Sequence, residues 1–256
     1  MVLDFTLSQY LDIVGSALDS GYKLVTVTNH FDGKSGSNPH IVMRHDVDRR
    51  PFNALSMAEG EADLGVQATY YFRKTPETFR PDIIKKIAGM GHEIGYHYED
   101  FHVARYDADR AYDLFIENLA AFRALAPIST ISMHGSPLSR FNNMEIWKYK
   151  KFEESNVKDC ILSFDWSDYL FFTDTGRSFA SGKANFRDKI GGMRDPSVRK
   201  PSDLVKFLTK RKADKIQLNV HPERWTNTPS IWVQQLAKDK LLNAIKFGLS
   251  IVRTAK

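Results

Sequence analysis

Ile41-Val-Met-Arg-His-Asp-Val-Asp48 reads as a buried strand that ends at the mouth of a site. Three apolar residues run into a polar cluster holding Asp46 and Asp48, and Arg49, Arg50 and Pro51 follow. The two aspartates are close enough in sequence to share one small volume. Close carboxylates repel, which raises one pKa unless a cation sits between them. The plainer reading of Asp48 is a cap for the helix that begins near Pro51.

Outward from this strand, the chain alternates. A strand over 40–46 is followed by a helix over 52–64, closed by Gly65. A strand over 67–72 and a helix over 80–90, stopped by Gly91, come next. A strand over 93–97, a long helix over 107–126 and a strand over 130–134 complete the run. Such alternation predicts right-handed βαβ units and a parallel sheet. Polar residues gather where the strands finish: His45 and Asp46, then His97, then His134. In parallel α/β folds the site lies at the carboxyl ends of the strands.

The flanks are less regular. Residues 6–20 predict an amphipathic helix with Leu7, Tyr10, Leu11, Val14 and Leu18 on one face, ahead of a strand over 24–28 and a polar loop over 30–39. After 142 the sequence predicts a short helix at 146–149, strands over 161–164 and 169–172, and a polar loop over 176–200 that embeds Phe179 and Phe186. A helix over 202–212, a strand over 215–220 ending at His221 and a last helix over 230–252 with a Lys-rich face follow. The expected fold is α/β, a distorted or incomplete (β/α)7-type barrel, with residues 1–256 forming one domain.

Lys plus Arg number 36 and Asp plus Glu 31, a net charge of +5. This mild basicity is compatible with an anionic substrate such as a phosphorylated or nucleotide-linked sugar. No basic stripe interleaves with aromatics, so nucleic-acid binding is not expected. Cys160 is the only cysteine, which excludes an internal disulfide and a Cys-based zinc site and suits a core filler. No stretch reaches the roughly 18 apolar residues of a membrane span, and the N-terminus has no basic segment followed by an apolar one. The expectation is a cytoplasmic protein whose last helix packs on the barrel, with peripheral membrane contact as the alternative.

Gly91-His-Glu-Ile-Gly-Tyr-His97 resembles the Gly-His-Glu-Ile-Gly-Asn-His segment of polysaccharide deacetylases, carbohydrate esterase family 4. In that family an Asp-containing strand end lies about 50 residues earlier, as Arg44-His-Asp-Val-Asp48 does here. Met133-His-Gly-Ser-Pro137 and Leu218-Asn-Val-His-Pro222 stand where the groove motif and the late Leu-x-His motif are expected. The resemblance covers about residues 40–225.

It implies an incomplete barrel of the polysaccharide deacetylase kind and metal-dependent removal of an N-acetyl group from a carbohydrate. Asp46 is then the catalytic base and His221 the acid, while Asp48 and His97 bind a divalent metal, with zinc suited to His and Asp donors. The family's second metal histidine lies four residues after the first, and Phe101 stands there instead. His102 is one residue further, rotated by about 140° on a helix. The third ligand is therefore open between His102, His134 and Glu99. Glu99, Arg177 and Trp225 are candidates for substrate contact, Trp225 as a sugar platform or a core residue, and Arg44 or Arg177 for bracing the base. His92 is read as structural. The expected cytoplasmic location and the mild basic charge favour, as substrate, a small-molecule or oligosaccharide precursor made inside the cell, a nucleotide-linked or lipid-linked amino sugar in surface-polysaccharide (O-antigen or capsule) synthesis. The alternatives are hydrolysis of a non-sugar amide or cyclic imide, and a metal-free, non-catalytic carbohydrate-binding relative.

Overall fold

The computed structural model describes residues 3–37, 39–135, 142–180 and 192–254. Ser136 and Pro137, and with them part of the expected groove motif, lie outside the described residues, as does Phe186 with much of the 176–200 loop.

The organising stretch forms β2 (His40–Val47), a strand buried along its whole length. Neighbours cover both of its edges. On one side β8 (Lys215–Val220) pairs from His40 to His45. On the other, β1 (Lys23–Val25) pairs with His40–Val42 and β3 (Thr69–Phe72) with Arg44–Val47. Beyond β3 lie β4 (Glu93–Tyr98), β5 (Thr130–Met133) and the two-residue β6 (Lys158–Asp159). Beyond β8 lies β7 (Leu170–Thr173). All these pairings are parallel, and the path runs β6-β5-β4-β3-β2-β8-β7. No described pairing joins β6 to β7, so the sheet curls into an open half-barrel with helices on its flanks. This is the incomplete (β/α) barrel that the alternation predicted.

The helices are α1 (Leu7–Asp19), α2 (Val27–Phe31), α3 (Pro51–Asp63), α4 (Pro81–Gly89), α5 (Asp100–Val103), α6 (Ala108–Arg123), α7 (Pro201–Thr209) and α8 (Pro229–Thr254). Their starts are written locally. Thr6 caps α1 through a capping box with Gln9. Proline opens α3, α4, α7 and α8, where its missing N–H has no partner to lose.

Two segments differ from expectation. Val27 and Thr28, read as strand, start α2. Thr26 caps it, Val27 N–H donates to Thr69 Oγ1 at 2.8 Å, and Thr28 N–H donates to Glu93 Oε2 at 2.9 Å. Ile161–Phe164 is turn rather than strand. The Asp159 carboxylate accepts from the N–H groups of Ile161 at 2.8 Å and Leu162 at 3.1 Å, which folds the chain back just after β6.

Within the seven residues 91–97 each position has a distinct task. Gly91 takes φ +92°, open to glycine at little cost, and ends the turn before β4. His92 joins layers as expected, accepting from Ala68 N–H at 3.1 Å and donating to the Ala58 carbonyl at 3.0 Å. Glu93 gathers Thr28, Thr69 and Thr130 beneath the sheet. Gly95 lies against the Tyr71 ring, which a Cβ there would meet at 2.3 Å. His97 reaches the rim.

Strand alternation sorts the remaining polar residues. Arg44 and Asp46 face the hollow of the half-barrel, whereas His45 faces the helices. There it meets Glu61 at 2.7 Å, and Glu61 also accepts from the hydroxyls of Tyr10 and Tyr70. That fully buried network ties α1, α3, β2 and β3 together.

Candidate active site

Asp46 and Asp48 end β2, His97 belongs to β4, His134 follows β5 and His221 follows β8. All five stand at carboxyl ends of parallel strands, on the rim that the topology dictates.

Asp46 is buried at 4% exposure and held by three hydrogen bonds from two neighbours. Arg44 clasps it with Nε at 3.0 Å and Nη2 at 2.7 Å, and Asn219 Nδ2 donates at 3.0 Å. Burial pushes its pKa up, but the Arg44 guanidinium and the nearby His97 outweigh this and hold it well below the usual carboxylate range. Of the two candidate braces, Arg44 is the one in contact. Arg177 lies elsewhere, donating to the Asp4 carbonyl at 3.0 Å and sitting over the rings of Phe5 and Trp232.

Asp48 differs. Its Oδ1 is buried without a hydrogen-bond partner, yet faces two imidazoles, His97 Nε2 at 3.3 Å and His134 Nε2 at 3.5 Å. Each ring is oriented from behind. His97 Nδ1 donates to the Ser132 carbonyl at 3.0 Å, and His134 Nδ1 donates to Glu99 Oε2 at 3.0 Å. Glu99 in turn is gripped by Arg73, with Nη2 at 2.7 Å and 2.8 Å from its two oxygens, while Arg73 Nη1 donates to the Asp48 carbonyl at 3.2 Å. Burial raises the Glu99 pKa, but His134 and Arg73 bring it down to about 2. Burial lowers that of His134, but Asp48 and Glu99 carry it up to about 9.

This arrangement can be tested against a divalent cation. In tetrahedral geometry with bonds of about 2.0–2.2 Å, donor atoms stand roughly 3.3–3.6 Å apart, close to both Asp48–imidazole separations. The backing of each ring through Nδ1 is how ligating histidines are oriented. Among the described residues, no group of three or more His, Cys, Asp or Glu is arranged so that it could hold a metal ion. Asp48, His97 and His134 instead form two carboxylate–imidazole pairs sharing one oxygen. The donor set fits a cation in kind, and both Asp48–imidazole separations match in length.

His221 sits across the rim. Its Nδ1 donates to Asp174 Oδ1 at 2.6 Å and its backbone N–H to Asp174 Oδ2 at 3.0 Å. Burial and Arg224 depress its pKa, but Asp174 carries the balance upward. Trp225 donates to the same carboxylate at 2.7 Å. It is only 1% exposed and packed against Phe5 and Tyr10, so the structure makes it a core wedge rather than an exposed sugar platform.

Two other ligand candidates do not face Asp48. His102 is exposed on α5, where Nδ1 meets the Tyr106 hydroxyl at 3.1 Å, and the structure does not bring it to Asp48. Phe101, where the sequence resemblance expects a histidine, is buried in the core. Glu99 stands behind His134 rather than facing open space. Sequence reasoning missed Arg73 and Asp174, although each directly follows a strand end, the same signal that marked the histidines.

The fold and rim define a class: an open parallel (β/α) half-barrel with a paired-aspartate, three-histidine rim. No family model and no curated protein matches the sequence. Among solved structures, a neighbour is the crystal structure of a mutant carbohydrate esterase family 4 (CE4) pseudoenzyme "with restored enzymatic activity", at 12% identity and a TM-score of 0.41. The match covers 81% of this chain and 64% of that one, so the chain spans less than two thirds of the neighbour's length.

Proposed function

We propose that this chain is a divergent polysaccharide deacetylase, a metal-dependent hydrolase that removes an N-acetyl group from a carbohydrate. The observation that carries this reading is the buried, unpartnered Asp48 Oδ1 faced by His97 and His134, beside an Asp46 clasped by Arg44. In this reading His134, from the neighbouring strand, stands in for the histidine that Phe101 replaces.

Asp48, His97 and His134 would hold one divalent ion, most simply Zn²⁺. When bound, that ion would supply a Lewis acid for the acetyl carbonyl and lower the pKa of water. The protein groups divide the proton work. Asp46 accepts the proton of the attacking water. Its depressed pKa keeps it ionised at neutral pH, at the expense of basic strength. His221, with Nδ1 fixed on Asp174, presents Nε2 to protonate the departing amine. Water adds across the amide, the C–N bond breaks, and acetate and the free amine leave.

The test is metal content of chelator-free protein alongside acetate release from acetylated sugars. Native protein should hold about one equivalent of metal. His97→Ala and His134→Ala should each lose metal and turnover, and Asp46→Asn should keep the metal but lose turnover. A His134→Ala variant with full metal and full rate would overturn the assignment. Hydrolysis of cyclic imides but not of acetylated sugars would move the substrate to the other amide class.

A further inference from the structure

The rim beside Asp48 carries more positive charge than the chemistry above uses. Arg49 and Arg50 follow Asp48 directly, just past the end of β2, and reach Glu223, two residues after His221, and Gln234 of α8. Arg49 is only weakly partnered. Its Nε is buried with no hydrogen-bond partner, and Nη2 approaches Glu223 Oε1 at 3.4 Å, near the limit of a useful contact. Its side chain remains 20% exposed.

Arg50 takes a left-handed backbone (φ 50°, ψ 62°), an uncommon conformation for a non-glycine residue. This is fixed by its N–H, which donates to Glu77 Oε1 at 3.0 Å, and by Nη2, which donates to Gln234 Oε1 of α8 at 3.1 Å. The second contact docks one stripe of α8 against the mouth. Lys238 lies four residues beyond Gln234 on that stripe, exposed. Burial and then Arg49 and Arg50 depress the Lys238 pKa, with Glu77 and Glu223 opposing, so the three cations share one field.

We propose that Arg49, Arg50 and Lys238 form an anion subsite beside Asp48, and that the substrate is an acetylated sugar bearing a phosphate or carboxylate. The substrate half of this inference rests on the deacetylase reading, whereas the subsite does not. An incoming anion adds counter-charge at the exposed part of Arg49 and beside Arg50 and Lys238, beyond what Glu77 and Glu223 supply.

Calorimetric titration of the full chain tests it, with inorganic phosphate, N-acetylglucosamine, N-acetylglucosamine 1-phosphate and N-acetylmuramic acid as probes. Both anionic sugars should bind about tenfold tighter than the neutral one, a gap that charge-assisted hydrogen bonds readily produce. Arg49→Gln and Lys238→Gln should each erase most of that gap and weaken inorganic phosphate, and 0.5 M salt should do the same. A preference confined to one anionic sugar identifies whether phosphate or carboxylate is the natural group. Arg49-dependent phosphate binding without acetate release from any sugar sinks the deacetylase reading and keeps the subsite. Acetate release with equal affinity for neutral and charged sugars, or a gap that survives in both variants, overturns the subsite. So does the absence of any phosphate or anionic-sugar binding.

Discussion

Asp100 gives a prediction whose sign and size both come from the structure. It opens α5 directly after Glu99 and is 2% exposed. Its carboxylate accepts from the Tyr96 hydroxyl at 2.8 Å and from Asn118 Nδ2 at 2.7 Å, with no cation in contact among the described residues. Burial raises its pKa from an ordinary 3.8 to about 6, against the pull of those hydrogen bonds. The folded pKa lies above the unfolded one, so between pH 3.8 and about 6 the folded chain holds a proton that the unfolded chain has lost. Stability therefore falls as pH rises through that window. At about 1.36 kcal/mol per pH unit, the loss reaches about 3 kcal/mol above pH 7.

Asp100→Asn removes the ionisation and keeps one acceptor oxygen for Asn118 or Tyr96. With about 1 kcal/mol charged to the second, lost acceptor, the variant should be more stable than the native protein by about 2 kcal/mol at pH 7.5. At pH 4.5, where native Asp100 is mostly protonated when folded, the advantage should shrink to about zero. Urea denaturation of both proteins at the two pH values measures the difference directly, with equal slopes confirming a common unfolded state. A variant equally destabilised at both pH values would refute the buried-charge argument and make Asp100 a net stabiliser of the turn that positions Glu99.

Three further outcomes are expected. Arg44→Met strands the buried charge of Asp46 and should cost about 3–5 kcal/mol in denaturant titration, with much of the loss recovered in the Arg44→Met/Asp46→Leu double variant. Gly95→Ala places a Cβ 2.3 Å from the Tyr71 ring and 3.1 Å from the Thr130 carbonyl, so it should cost about 3 kcal/mol by thermal unfolding. His102→Ala, on the exposed face of α5, should stay within about 0.5 kcal/mol of native stability and leave metal content unchanged.

What the sequence made legible follows the strength of its periodic signals. The run from β2 to β5 alternates apolar strands with amphipathic helices, and that alternation alone puts His45, Asp46, His97 and His134 at strand ends. The losses came where side-chain hydrogen bonds outrank local propensity. Val27-Thr28 is β-prone, yet Thr26, Thr69 and Glu93 satisfy the N–H groups that start a helix there. Ile161 and Phe164 are buried as a strand reading requires, but Asp159 turns the chain beneath them. Neither effect has a period, so neither shows in a window of sequence.

The candidate site divides on the same line. Asp46, Asp48 and His97 were identified within one strand or one motif, where spacing fixes the face. The choice between His102 and His134 depended on distance across strands. The i+5 offset already argued that His102 is turned away on a helix, and the structure places it facing solvent. His134 reaches Asp48 because β5 pairs with β4 in the register His97↔Ser132, which carries the residue two beyond Ser132 up to the same rim. Register also explains why the backing of the two rings differs: the strand partner's own carbonyl, at Ser132, orients His97, whereas His134, past the end of its strand, needs Glu99 and Arg73 to hold it. The imidazole of His134 thus carries its own carboxylate and guanidinium support, an arrangement that only a folded sheet can assemble from residues 73, 99 and 134.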